Sequence, residues 1–350
     1  MKKLKTALVA IAAVVVLCGL AMFYPLVPGT KAPPAQPHSV FEEDLTRALR
    51  DFAEARESID AVVIASSKEV LFVHGAAHLP INTHSVRKSV MSVLIGMAVL
   101  EGKLEVTDSL AKLGIDDEAM PLTDLEKTAT VADLLKARSG IYIEAAGETE
   151  DMKAGRPRRG QYRPGAHYYY NNWDFNALGT VLAASTGAAP EQHMRRLAGR
   201  LGFQDYEAGH FYYQTARDSE HDQYTIFMSA RDLARVGQMM LRQGRDPAGG
   251  SLVSAEWVAD STRPYSRLVD RDPLDGYGYL WSLDADTGTY WATGWGGQFM
   301  LVDPRNDLVI VARNDTGRRL GQLGWLVLLD KSSQGSLADM EALRAMATRR

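Results

Sequence analysis

Between Thr83 and Leu104 the chain (THSVRKSVMSVLIGMAVLEGKL) passes from small polar residues into an apolar run: Val90, Met91, Val93, Leu94, Ile95, Met97, Val99 and Leu100. These positions point to every side of a helix, and a helix that is apolar all round is a buried one. Thr83 and Ser85 are of the kinds that cap a helix start. Gly102 is a stop signal. The pattern predicts a helix driven through the middle of a core, with Ser85 and Lys88 in a polar first turn that faces outward.

Other elements fall around it. Apolar residues near helical spacing (Phe41, Leu45, Leu49, Phe52) predict a helix over 41–56. AVVIAS at 61–66 and VLFVH at 70–74 read as a hairpin with a polar turn at 67–69. From 105 to about 227 strand signals are scarce. Helices are expected at 131–137, 175–186 and 190–201, and a polar, Gly- and Arg-rich loop at 144–165. An amphipathic helix follows at 229–243 and a short one at 256–262. Strands return at 278–283, 289–293, 299–303 and 308–313, with further helices at 323–329 and 337–350. The expected fold class is α/β (α+β): an antiparallel sheet flanked by helices, its first strands from early in the chain and the rest from late, with an inserted all-helical subdomain.

Composition narrows the function. The 350 residues are 46% hydrophobic, enough for a large core, and the net charge of −4 gives no reason to expect nucleic acid. A single cysteine, Cys18, excludes an intramolecular disulfide and a multi-cysteine metal site. Lys2, Lys3 and Lys5 precede an uncharged run, Thr6–Val27, long enough to span a bilayer. Gly19-Leu20-Ala21 lies inside that run, and Leu17 before Cys18 fits a lipoprotein cleavage site poorly. The reading is an uncleaved single-pass anchor in a bacterial cytoplasmic membrane, lysines inside and the rest outside. The alternative is a long cleaved signal, giving a secreted protein. The expected organisation is 1–27 anchor or signal, 28–38 proline-rich linker, 39–335 main domain and 336–350 C-terminal helix. The main domain divides into α/β parts at 39–110 and 228–335 around a helical insertion at 111–227.

The chemistry gathers at the start of the central helix. Residues three apart share a helix face, so the Lys88 amine is expected beside the Ser85 hydroxyl. Burial disfavours an ammonium and makes the amine a better base. The helix dipole there suits a developing oxyanion. This is the layout of a Ser–Lys nucleophile pair. A second Ser-x-x-Lys, Ser109–Lys112, sits in a polar stretch with no long apolar helix behind it. Tyr170, in PGAHYYYNNWDFNALG at 164–179, is a second acid/base candidate. Asn172 is either a donor to substrate or Lys88, or a helix cap. In Gly294-Trp295-Gly296-Gly297-Gln298, glycines beside a strand let a ligand approach the backbone. The Gln298 N–H would face an oxyanion opposite the N–H of Ser85. His74 and His78 would share a strand face, but no third ligand is nearby. No metal and no organic cofactor is indicated.

Together these residues resemble the serine β-lactamase and penicillin-binding-protein superfamily, in its class C-like branch, which includes esterases, D-aminopeptidases and 6-aminohexanoate-dimer hydrolases. The three marks fall in order as Ser85-Val-Arg-Lys88, Tyr170-Asn-Asn172 and Trp295-Gly-Gly297. Side marks agree: Leu134–Gly140, Pro164-Gly165, Ala230–Ala234 and Val302-Asp-Pro304. The resemblance spans roughly residues 40–330 and implies that Ser85 forms an acyl-enzyme. Lys88 and Tyr170 would share proton transfer, the N–H groups of Ser85 and Gln298 would form the oxyanion hole, and Asn172, Trp295, Gly296 and Gly297 would line the substrate. Counting back from Leu178-Gly179 selects Tyr170 over Tyr169. The departure is Trp295, where many relatives carry a lysine that binds a substrate carboxylate. It implies a small-molecule or peptide-like ester or amide without that carboxylate, over a β-lactam or D-Ala-D-Ala peptide. Arg156, Arg158, Arg159 and Arg163 are a possible anion site or a solvated loop. A penicillin-binding fold kept as a non-catalytic module is the other reading.

Overall fold

The computed structural model describes residues 29–216, 219–268, 273–316 and 335–349. The Thr6–Val27 run and the expected helix at 323–329 lie outside these residues. No helix among the described residues is long and apolar enough to cross a membrane.

In chain order the elements are β1 (His38–Ser39), α1 (Glu43–Glu54), β2 (Ala61–Ala65), β3 (Val70–Gly75), β4 (Ile81–Asn82), α2 (Val86–Leu100), α3 (Leu110–Leu113), α4 (Val131–Leu135), α5 (Glu150–Gly155), α6 (Asn172–Thr186) and α7 (Pro190–Leu201). There follow β5 (Phe211–Ala216), β6 (Ser219–Met228), α8 (Ala230–Leu241), α9 (Ala255–Ser261), β7 (Ser266–Arg267), β8 (Gly276–Tyr277), β9 (Ser282–Asp284), β10 (Thr289–Gly294), β11 (Gln298–Asp303), β12 (Leu308–Arg313) and α10 (Leu337–Ala347).

Among the described residues the main sheet has nine strands in the order β1-β3-β2-β12-β11-β10-β9-β8-β7. Early and late chain meet where β2 pairs antiparallel with β12. Both strands are buried along their length, which is why they read as unbroken apolar runs. The period of two still sorts their side chains. Val309 and Val311 face the larger core with α2 and α8. Leu308, Ile310 and Ala312 face a second core closed by Leu49 of α1 and by Met340 and Leu343 of α10.

Helix α2 lies between the sheet and the helical lobe, packing on β10, β11, α6 and α7. Every residue from Val86 to Ala98 is buried. At about 1.5–3 kcal/mol for each large apolar side chain fully buried, this helix is a main source of stability. The expected polar first turn differs from what forms: Arg87 and Lys88 are buried, and His84 and Ser85 are only partly accessible. The helical lobe supplies the cover.

Three other expectations need correction. The stretch 111–227, expected to be all helix, ends in the hairpin β5–β6, to which β4 adds a third strand. The first half of β6 is polar, SEHDQ, and hid the strand. The single strand expected at 278–283 is split into β8 and β9 by a tight turn, where Gly278 N donates to Trp281 O and Leu280 has φ +64°. The proline-rich segment expected as a spacer lies against the domain: Lys31 N donates to Glu207, Arg231 donates to Pro33 O, and Ala35 packs on the core.

Candidate active site

The approach to Ser85 is tightly held. Thr83 donates twice to the Ile226 carbonyl of β6, from its N–H (3.0 Å) and its Oγ1 (2.8 Å). His84 N donates to Asn82 Oδ1. His84 itself takes φ +45°, a left-handed conformation that costs energy in any residue with a Cβ. Ser85 then sits at the helix start with helical dihedrals (φ −73°, ψ −12°) and makes no capping bond. A capping serine is extended, so this one is not a cap. Its hydroxyl turns to Lys88 instead.

Lys88 is 4% exposed. Its Nζ donates to Ser85 Oγ at 3.0 Å and to Tyr170 Oη at 2.7 Å. The rings of Tyr170 and Phe175 lie 4.4 and 4.7 Å from the amine. Burial, then the neighbouring Arg87 charge, hold its pKa well below the ordinary lysine range. Arg87 stacks its guanidinium over the Tyr224 ring at 4.8 Å.

Tyr170 is brought in by a braced loop. Tyr169 N donates to Ala137 O, and Gly165 N to Arg138 O. Gly140 has φ +75°, and a Cβ there would meet Tyr162 O at 2.8 Å. The Ser139-Gly140 and Pro164-Gly165 marks thus serve one junction. Asn171, not Asn172, caps α6 by accepting from Trp173 N. Asn171 also donates to Asp174 Oδ1, as does Ser139 Oγ. Asp174 is fully buried, which pushes its carboxyl well above the usual range. Tyr169 points away, its hydroxyl donating to Met152 O. Asn172 Nδ2 is spent on Gly147 O at 2.7 Å, so the expected donation to Lys88 is not what forms.

The third segment closes the site. Gly294 pairs with Gln298 across β10 and β11, and Gly296 and Gly297 turn with φ +76° and +91°. A Cβ on Gly294 would lie 2.6 Å from Thr83 O, 3.3 Å from Ser85 N and 3.1 Å from Gln298 Cβ. The backbone nitrogen of Ser85 and the start of β11 therefore converge on one point. Trp295 is 46% exposed, beside His84 with ring centroids 5.3 Å apart. Burial, with the charges of Arg313, Arg87 and Lys88, lowers the His84 pKa to about 4.

Sequence reasoning missed three features: His84, the buried Ser139–Asp174–Asn171 group, and Arg313. A histidine directly before Ser85 and a charge ending an apolar strand were visible, but neither spacing named a partner. Two of the loop arginines are neutralised within the fold, Arg156 by Glu148 and Arg159 by Glu126. Among the described residues no His, Cys, Asp and Glu group is arranged to hold a metal ion.

A two-lobed α/β fold with a serine, a lysine and a tyrosine in contact between sheet and helical lobe defines a class, the β-lactamase and penicillin-binding-protein fold. The sequence model of the Beta-lactamase family matches residues 45–320. The chain belongs to the Beta-lactamase family and is a hydrolase of that family. It is 26% identical over 321 residues to the 6-aminohexanoate-dimer hydrolase of Paenarthrobacter ureafaciens, covering 80% of this chain and 79% of that protein. A penicillin-binding protein from Bacillus halodurans superposes with a TM-score of 0.58 at 15% identity, covering 79% of this chain and 99% of that one. The octameric penicillin-binding protein homologue from Pyrococcus abyssi gives 0.57 at 16%, covering 83% and 78%.

Proposed function

We propose that this protein cleaves an ester or amide bond through an acyl-enzyme on Ser85. The carrying observation is that Lys88 Nζ lies within hydrogen-bond distance of both Ser85 Oγ and Tyr170 Oη. With its pKa lowered by burial, the amine gives up its proton more readily than an ordinary lysine, and in its neutral form it takes the Ser85 proton as Oγ attacks the carbonyl. The N–H groups of Ser85 and Gln298 receive the oxyanion. Tyr170, bonded to the same amine, hands a proton to the leaving alcohol or amine. Water then attacks the acyl group, with the same pair returning the proton to Ser85.

Trp295 supports the choice of substrate. An exposed indole beside a neutral His84 offers a flat apolar wall and no cation for a carboxylate. The similar curated protein is named as a hydrolase of the 6-aminohexanoate dimer, which favours an open-chain acyl substrate over a β-lactam. Gly296 and Gly297 turn with positive φ where a Cβ would meet Thr316 and Gly335, so the loop that leads to Gln298 is close-packed against the fold. The lysines at 2, 3 and 5 and the Thr6–Val27 run support an extracytoplasmic site of action, anchored or secreted.

The test is hydrolysis of p-nitrophenyl esters together with mass spectrometry after fluorophosphonate treatment, with Ser85→Ala as control. The parent should turn over the ester and gain one adduct on Ser85, and the variant should do neither. A Ser85→Ala protein that hydrolyses as fast as the parent removes the nucleophile assignment.

A further inference from the structure

Arg313 ends β12 and is 0% exposed, yet no step proposed above uses it. A buried guanidinium is costly unless its N–H groups find acceptors. Arg313 Nε donates to Gln298 Oε1 at 2.7 Å. Nη1 donates to Met228 O at 2.7 Å, and Nη2 to Ile81 O at 2.8 Å and Asn82 O at 3.2 Å. Burial lowers its pKa only to about 9, so it stays charged at neutral pH and these bonds are charge-assisted.

The acceptors belong to three separate segments. Gln298 opens β11 and carries one of the two N–H groups assigned to the oxyanion. Ile81 and Asn82 are β4, which leads within three positions to Ser85, the other donor. Met228 ends β6, the strand that pairs with β4. The next residue, Asn314, extends the brace: its carbonyl accepts from Gln298 Nε2 at 2.6 Å, and its Nδ2 donates to Gly296 O at 2.6 Å. A lysine ammonium is a point charge, whereas the planar guanidinium fork reaches several fixed acceptors at once.

We propose that Arg313 is a positioning residue that sets the separation of the Ser85 and Gln298 N–H groups by tying the start of β11 to the β4 segment ahead of the nucleophile. The inference rests on the hydrolase reading above. Oxyanion donors act at hydrogen-bond distance from where the charge develops, and small displacements are expensive there. Substrate binding before reaction depends on them far less.

The test uses the full chain with a p-nitrophenyl ester, on Arg313→Met, Arg313→Lys, Gln298→Met and the Arg313→Met/Gln298→Met double variant. Three quantities are read: kcat against KM, the carbonyl stretching frequency of the trapped acyl-enzyme, and Tm. The expected result for Arg313→Met and Gln298→Met is a kcat about 10²-fold lower, little change in KM, and an acyl carbonyl band shifted to higher frequency as polarisation is lost. Arg313→Lys falls between these and the parent. The double variant is no slower than the slower single one, because both remove the same tie. A folded variant of either residue with parental kcat, or a lower kcat with an unmoved carbonyl band, overturns the proposal. Should Arg313→Met fail to fold, Gln298→Met decides, since it leaves the guanidinium its three carbonyl acceptors. A parent protein that forms no adduct on Ser85 overturns the hydrolase reading and this inference with it.

Discussion

Two segments of this chain carry Ser-x-x-Lys, 24 positions apart, and they end in opposite chemical states. Ser109 is extended (φ −81°, ψ 157°) and caps the one-turn helix α3, its Oγ accepting from Lys112 N. The Lys112 side chain is 63% exposed and paired with Asp108, a bond that raises its pKa. Ser85 has helical dihedrals and caps nothing, and Lys88 is buried with its pKa lowered. Spacing is common to both. What differs is the run behind the lysine: LAKLG ends after one turn, whereas the chain after Lys88 stays apolar for three. The second run must be buried, and it carries the amine inside with it. A carboxylate neighbour raises the pKa of one lysine at the surface, whereas burial beside a phenol and a hydroxyl lowers that of the other.

The largest way to test the contrast is to remove each amine. Lys88→Met should lower kcat/KM on a p-nitrophenyl ester by about 10³-fold or more, in the upper range for a general base, and Lys112→Met should leave it within about twofold. Equal losses at the two sites would show that burial is not what separates them.

The next effect concerns the wall facing Ser85. Gly294→Ala places a methyl 2.6 Å from Thr83 O, forcing β10 and the helix start apart. A fall of about 10²-fold in kcat is expected, with Lys88 still buried. Unchanged kcat in that variant, measured beside its Tm, would mean that the Ser85–Gln298 separation does not matter.

The pH dependence sharpens the comparison further. In the proposed mechanism the neutral Lys88 amine is the active form, so the acylation rate should rise with pH and level off below the usual lysine range near 10.4. The stability sign follows. Folded Lys88 binds its proton more weakly than unfolded Lys88, so this group disfavours the folded state at pH values below the unfolded pKa. That penalty disappears as pH rises past it. Denaturation at pH 7 and pH 9.5 should show the parent gaining on Lys88→Met at the higher pH. Lys112→Met should not show this direction, because the Lys112 pKa is raised. The reverse ordering would falsify the buried-amine assignment. The smallest effect is Ser109→Ala, which removes a cap at about 1 kcal/mol of stability and leaves ester hydrolysis as it is.

Much of the fold was legible because long buried segments write their period plainly. Leu308–Arg313 and Pro190–Leu201 form with the bounds expected for them, and the central helix stops at the expected glycine. That early and late strands share one sheet was expected, but which of them meet, β2 with β12, was not. The hairpin β5–β6 was not legible, because half of β6 is polar and the apolar remainder is too short to tell from helix. The turn at Leu280 was hidden inside an aromatic run. The candidate site divides the same way. Serine, lysine, tyrosine and the glycine turn lie in local motifs, so their order along the chain pointed to one another.

Amino-acid order alone determined that an apolar helix with a hydroxyl and an amine at its mouth had to be buried, because a chain cannot leave that run in water. Only the packed structure decided which groups met there. It turned Tyr170 inward and Tyr169 outward, spent Asn172 on a loop carbonyl, and drew Arg313 across three segments to Gln298. Those choices depend on distances between residues far apart in sequence. Hydrogen-bond satisfaction in a dry interior sets such distances, and no local pattern records it.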